Sequence, residues 1–313
     1  MNIISHRKWW YAISILLVVP GVISLSVWGL KLGIDFVGGS EDTVRGTVNT
    51  AQVQKLAAGL GFKDVTLVSG GSNETIIRFR DPEAEAKHEA NHQSFKTGLA
   101  AHGLTEQSFS SVGPAVSSDI ARNAILSLIA ASIAIVLYIA YAFRNVPRPA
   151  SSWSFGVMAI IALLHDALLV LGVFSLLGHF AGVEIDSLFV TAILTVIGFS
   201  VHDTIVVFDR IRENLRRERG EEFAVVVNHS ILETLARSIN TSLTVLLTLL
   251  ALLLFGGASI RLFVLALLIG VASGTYSSIF NASPLLVSWY EYQQRRAARP
   301  AKVVQKPAKS GQK

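Results

Sequence analysis

A chain of 313 residues that is 51% apolar and only 16% charged departs from soluble domains, which carry roughly 25% charged residues. It has no cysteine, so a disulfide framework and a thiolate metal site are both excluded. The net charge of +5 does not indicate a nucleic-acid partner, because most of the basic residues lie in short segments beside apolar runs, where they report membrane topology.

A bilayer core is crossed by about 20 mostly apolar residues. Six windows meet that length: Trp9–Leu30, Ile120–Phe143, Trp153–Leu177, Ile185–Phe208, Ser238–Gly256 and Leu262–Ser288. The first follows His6, Arg7 and Lys8. Its apolar run is too long for a signal peptide and no small-residue cleavage site follows, so it is expected to be a retained helix. Trp9, Trp10 and Tyr11 would sit at its interface.

Residues 31–118 form a polar insertion. Thr43–Val48 alternates like a strand, Ala51–Leu60 has a helical pattern, and Val65–Val68 and Thr75–Phe79 read as strands. Pro82 opens a second helix reaching about Ala101, and Thr105–Val112 reads as a last strand. Gly70-Gly71-Ser72-Asn73 supplies a hairpin turn between the middle strands. The order βαββαβ predicts a small ferredoxin-like α+β sandwich. His88 and His92 are four residues apart and have metal-ligand spacing, but a solvated helix face is the simpler expectation, and His102 stands apart. No metal site and no cofactor are expected.

The other five windows place residues 119–290 in the membrane. From Glu291 onward the chain is basic and rich in Ala, Pro, Lys and Gln, so it reads as a disordered tail. That tail anchors topology, with anionic lipid or a cytoplasmic partner as an alternative role. Arg7 and Lys8, Arg144 and Arg148, the run from Arg210 to Arg219, and the tail all fall on one side of a six-span protein. The loop Gly178–Glu184 has no Lys or Arg and the loop after Gly256 has only Arg261. The expected topology has both termini cytoplasmic and the insertion outside.

Polar side chains at membrane depth are costly, on the order of 2.5–3.5 kcal/mol each for charged groups, and so call for a reason. Asp203, in Ser200-Val201-His202-Asp203, lies seven residues before Arg210, which at 1.5 Å rise places it about 10 Å below the boundary. Desolvation there disfavours the charged form, so the group is suited to take up and release a proton; a permanently neutral acid clamping two helices is the alternative. Arg237, at the expected start of the fifth span, shares one helical face with Asn240, Thr241, Thr244 and Thr248. Such a stripe usually faces the bundle or a hydrated cavity. Arg237 either pairs with Asp203 or snorkels to the interface. His165-Asp166 sits midway along the third span, where a neighbouring helix would satisfy either group. Gly270-x-x-x-Gly274, with Ser273, Ser277 and Asn281 nearby, marks close helix approach. Asp209–Asn214 reads as a charged stop with i±3 and i±4 pairs. There is no Walker motif, nucleophile elbow or HExxH pattern, so no enzymatic activity is expected.

Several segments carry a family resemblance. They are Gly33-Ile34-Asp35-Phe36-Val37-Gly38-Gly39 after the first span, the long run Ile197–Asn214, Ala236–Ser242, and Leu254-Phe255-Gly256-Gly257. Together they resemble the SecF family, a subunit of the bacterial SecDF protein-export machinery, over about residues 5–290. The resemblance implies an RND-type six-helix half bundle completed by SecD. It also implies use of the proton-motive force to help draw unfolded preproteins from the SecYEG channel across the inner membrane. In that family the membrane Asp and the Arg of the next span act in proton transport, which implies such roles for Asp203 and Arg237. The family often has Asn before that Asp, whereas this chain has His202, a residue type able to carry a proton. On this reading protonation of Asp203 switches the contact between spans four and five, and motion passes outward through the first span and the Gly33–Gly39 segment. Two alternatives are a stand-alone proton-coupled exporter of small molecules and a purely structural translocon subunit.

Overall fold

The computed structural model describes residues 2–71, 74–80 and 85–297. The turn residues Ser72 and Asn73, the helix-opening Pro82 and the tail beyond Ala297 lie outside the described residues, as does the His88 side chain.

Helix α1 (Arg7–Val27) leads into a short helix α2 (Ile34–Val37), then strand β1 (Gly39–Arg45), α3 (Thr50–Gly59), β2 (Lys63–Gly71), β3 (Glu74–Arg80), α4 (Glu85–Ala101) and β4 (Thr105–Val112). The four strands form one antiparallel sheet in the order β2-β3-β1-β4. This is the ferredoxin-like arrangement of a βαββαβ chain. Asn49 caps α3, its side chain accepting from the amides of Ala51 and Gln52. Both longer helices pack on one face over Val44, Ile77, Phe79, Phe95 and Leu99. Phe62, Phe79 and Phe95 cluster there, with ring centroids 4.3–5.4 Å apart.

β1 begins four residues before the expected Thr43 and stops at Arg45. Its buried positions are Ser40, Asp42 and Val44, so two of the three inward residues are polar and hide the alternation. Gly38 and Gly39 open it with φ of +75° and +133°, a region open to glycine.

The remaining helices are α5 (Pro114–Ala142), α6 (Ser152–Ala181), α7 (Ser187–Arg217), α8 (Phe223–Phe255), α9 (Arg261–Ser277) and α10 (Ser283–Ala297). A π turn, Ser278–Ala282, joins the last two into one span. Among the described residues, six helical spans are long and apolar enough to cross a membrane. α6, α7 and the α9–α10 span form the inner layer, and α1, α5 and α8 flank it with mostly exposed apolar surfaces. α1 and α6 meet at Gly21 and Gly172, where a Cβ on Gly172 would lie 2.5 Å from the Gly21 Cα. Beside them the Ser24 and Ser175 hydroxyls bond at 2.7 Å.

Helix boundaries depart from the expected windows where polar turns continue the helix. α8 begins at Phe223, so Arg237 stands about four turns inside it rather than at its start. Residues 223–236 are amphipathic, and their face of Phe223, Val226, Val227 and Ile231 is buried in the bundle. The charged exit Asp209–Asn214 is likewise helical, inside α7. The last span continues past Glu291 to Ala297 as helix rather than tail. There Arg7 donates two 2.8 Å bonds to the Glu291 carboxylate.

Candidate functional site

The inner helices α6, α7 and α9 bring their polar residues into one buried layer. Asp166 is fully buried. Its Oδ2 accepts from the Ser200 hydroxyl at 2.5 Å and the Ser277 hydroxyl at 2.6 Å, and its Oδ1 accepts from Ser273 at 2.6 Å. The His165 Nδ1 lies 2.9 Å from the same Oδ1. Ser273 and Ser277 are one turn apart on α9, on the face that carries Gly270 and Gly274, and that face packs on α7. A Cβ on Gly270 would fall 2.1 Å from a Val196 methyl, and one on Gly274 would fall 3.2 Å from the Ser200 Cα. The small residues thus bring the serines within reach of the carboxylate.

The network runs on into α1. Asn281, in the π turn, lies 3.3 Å from the His165 Nε2 and exchanges contacts with the Ser14 hydroxyl at 2.6 and 2.9 Å. Ser14 also reaches the Tyr276 hydroxyl at 3.3 Å, which donates to the Trp10 carbonyl at 2.8 Å. Ser278 in the same turn bonds Thr204 of α7 at 2.9 Å.

Asp203, only 2% exposed, occupies a second position one turn along α7. Its partners are weaker: Oδ2 accepts from the Ser242 hydroxyl of α8 at 3.4 Å and from Thr275 of α9 at 3.5 Å. Those two hydroxyls bond each other at 2.6 Å. His202 Nδ1 stands 3.7 Å from Asp203 Oδ1, an ion-pair distance rather than a hydrogen bond, and the His202 side chain is 63% exposed.

Arg237 does not meet Asp203. Among the described residues no ion pair joins them. Arg237 lines a cleft of about 330 Å³ between α7 and α8 with Asp209, Arg210, Glu213, Glu233 and Thr234. Ser242, which touches Asp203, lies five residues along α8, about 7.5 Å away on the helix axis. Arg237, Asn240, Thr241, Thr244 and Thr248 are all exposed, so the polar stripe of α8 is not buried within this chain's bundle. The cleft is bridged by Arg210, which bonds Glu233 at 2.6 and 2.9 Å and Glu213 at 2.6 Å. Asn214 also donates to Glu233 at 2.6 Å. The expected pairs of Asp209 with Arg212 and of Glu213 with Arg217 form as well.

The Gly33–Gly39 segment grips the loop between α6 and α7. The Gly33 amide donates to the Ile185 carbonyl at 2.8 Å, and the Ile185 amide to the Lys31 carbonyl at 2.9 Å. A Cβ on Gly33 would approach the Ile185 carbonyl oxygen to 3.0 Å. The Asp35 carboxylate accepts from the Ser187 amide at 2.8 Å, at the N-terminus of α7, where Asp186 also caps the Phe189 amide. Burial, chiefly, holds the Asp186 carboxyl above the ordinary carboxylate range. Glu184 in this loop pairs with Lys31 at 3.0 Å and with Arg78 of β3 at 2.7 Å. Phe36 packs against the bundle core. The sheet domain is therefore tied to the start of the helix that carries Asp203. Sequence reasoning missed Ser14, Ser242, Thr275, Glu184 and Glu233 as members of these networks. Of them Ser242 lies in a family segment and Glu184 in the loop noted for its lack of Lys and Arg.

Residues 94–292 match the family model "Protein export membrane protein SecD/SecF, C-terminal". The chain is 49% identical over 300 residues to a protein translocase subunit SecF from Thermobaculum terrenum, covering 92% of this chain and 94% of that one. It is 37% identical over 295 residues to the protein translocase subunit SecDF of Bacillus subtilis, covering 91% of this chain and 37% of that one. The crystal structure of SecDF from Thermus thermophilus, titled a translocon-associated membrane protein, matches with a TM-score of 0.80 at 33% identity, over 93% of this chain and 39% of the other. The chain thus spans about two fifths of the SecDF chain in that structure but nearly all of the SecF relative. On sequence and fold alike, the chain belongs to the SecD/SecF family of protein export membrane proteins.

Proposed function

We propose that this chain is a SecF subunit that works with SecD in the bacterial inner membrane. In this role it uses the proton-motive force to assist preprotein export after SecYEG. Its termini are cytoplasmic and its sheet domain faces the periplasm, where it helps to hold the emerging chain. The SecDF relatives carry a second portion within one polypeptide, which supports SecD as the partner. The exposed polar stripe on α8 supports it too, since those groups at membrane depth call for a covering protein surface.

The observation that carries the reading is the contrast between the two buried carboxylates. Asp166 is saturated by short bonds from three hydroxyls, which suits a fixed structural acceptor. Asp203 has only long contacts at 3.4 and 3.5 Å, to hydroxyls that already bond each other. It can therefore change protonation state without dismantling the bundle. An ionised Asp203 attracts Arg237 from the neighbouring cleft; a neutral one releases it and can donate to Ser242 or Thr275. The α7–α8 contact then has two arrangements set by one proton. Because α7 starts at the Asp35 and Glu184 ties, its displacement is delivered to the sheet domain.

The test is export of a secretory precursor in cells that depend on this chain and its SecD partner. Asp203→Asn should still co-purify with SecD yet reduce export to the level seen when the proton gradient is collapsed. Export at the unmodified rate with the gradient intact would mean that Asp203 carries no proton and that the chain acts as a scaffold.

A further inference from the structure

Among the described residues, a buried carboxylate lies outside the membrane networks. Asp42, on β1, is fully buried, and neither of its carboxylate oxygens has a hydrogen-bond partner. An orphaned carboxylate in a small core is costly unless something pairs with it. Burial first, and then the Glu106 carboxylate, push it up to about 7.

Two other donors converge on it. His92, on α4, is 6% exposed, and its ring stacks on Phe109 with centroids 3.6 Å apart. Its Nε2 lies 3.1 Å from the Glu106 Oε2. Glu106 faces inward because of a β-bulge. Thr43 pairs with Ser108 but Val44 pairs with Glu106, so Gln107 is an extra residue. Without that residue the two-residue period would turn Glu106 to the opposite face of the sheet. One ligand atom from each of Asp42, His92 and Glu106 falls within 4.8 Å of the others.

The geometry points to a divalent transition-metal site of the Zn²⁺ type, formed by Asp42, His92 and Glu106, that staples α4 to β1 and β4. Ligand atoms around tetrahedral Zn²⁺ stand about 3.4 Å apart, so the His92–Glu106 edge is already near that spacing and Asp42 needs to close by no more than about 1.4 Å. An imidazole with two carboxylates suits Zn²⁺ and its neighbours; Mg²⁺ and Ca²⁺ take all-oxygen sets. The fourth position falls to water. β4 is an edge strand of the sheet. The exposed Lys96 holds the other Glu106 oxygen at 3.0 Å and competes with the metal for the carboxylate. The inference is independent of the proton-relay reading, and its test reads no export activity.

The test uses the full chain in detergent, purified without a histidine tag and stripped with a chelator, then titrated with Zn²⁺ alone by calorimetry. One equivalent should bind, and Zn²⁺ should raise the unfolding temperature. Asp42→Asn removes the orphaned charge and should fold, as far-UV circular dichroism would verify. Asp42→Asn and His92→Gln should each weaken binding at least about tenfold and abolish the thermal shift. Lys96→Gln, a surface change, should tighten binding by freeing Glu106, and excess Mg²⁺ should not compete. Absence of saturable uptake, or uptake unchanged in both ligand variants, would overturn the assignment.

Discussion

Gly270→Ala places a single methyl group where α7 and α9 touch, and its sign is diagnostic. In an unobstructed helix the change from Gly to Ala is favourable by roughly 1 kcal/mol. At Gly270 the new Cβ would stand 2.1 and 2.6 Å from the two Val196 methyls and 2.9 Å from the Val196 Cβ. Rotation about χ1 of Val196 does not move its own Cβ, so the backbones must separate by about 1 Å, an overpacking cost of about 1–3 kcal/mol. The same displacement stretches the 2.6 Å bonds from Ser273 and Ser277 to Asp166. The net expectation is destabilisation, read as a fall of about 2–8 °C in the unfolding temperature of the detergent-solubilised chain. Gly198, on the exposed side of α7, has nothing within 4 Å and serves as the control: Gly198→Ala should leave that temperature unchanged or raise it. Val196→Ala removes two of the three clashes, so combined with Gly270→Ala it should recover part of the loss, a coupling of at least about 0.5 kcal/mol. If Gly270→Ala behaves like Gly198→Ala, or if the two changes are merely additive, the close approach of α7 and α9 is not what holds the polar layer together.

Three further outcomes are expected. Asp166→Leu leaves the Ser200, Ser273 and Ser277 hydroxyls without their acceptor, each costing about 1–3 kcal/mol, and should cause loss of monodisperse protein on size-exclusion chromatography; Asp166→Asn, which retains one acceptor oxygen, should be milder. Glu184→Gln removes the charge that pairs with Lys31 and Arg78, so amide exchange at Gly33 and Ile185 should speed up several-fold while exchange within α9 stays the same. Arg7→Lys replaces the forked grip on Glu291 by a single contact, and trypsin should then cleave more readily at Arg295 in α10.

Apolar length and the period of the pattern were enough to give six spans, because lipid offers no partner for an unpaired backbone and a run of about 20 apolar residues has few alternatives to helix. The βαββαβ order was legible for a similar reason. Thr105–Val112 was placed at both ends, and the other elements shifted by a few residues where polar groups such as Ser40 and Asp42 occupy core positions. Membrane depth and spacing singled out Asp203 and Arg237, and the SecF resemblance in Ile197–Asn214 and Ala236–Ser242 implied a role for each. It could not show that Arg237 lies inside α8, in the α7–α8 cleft and unpaired with Asp203, since helix length beyond the apolar window depends on what the amphipathic turns of residues 223–236 pack against.

Which carboxylate is saturated, and which hydroxyls serve it, belonged to tertiary structure alone. In sequence Ser273 and Ser277 mark only a small-residue packing face; they become donors to Asp166 because Gly270 and Gly274 let α9 approach α7 closely. Asp42 and Glu106 are 64 residues apart; Asp42 precedes the expected strand Thr43–Val48, and Glu106 falls in the expected strand Thr105–Val112. One inserted residue in β4 turns Glu106 inward beside Asp42. Periodicity records which face of its own element a residue lies on. It does not record register between elements or how closely they approach, and those two distances govern hydrogen bonding and charge pairing.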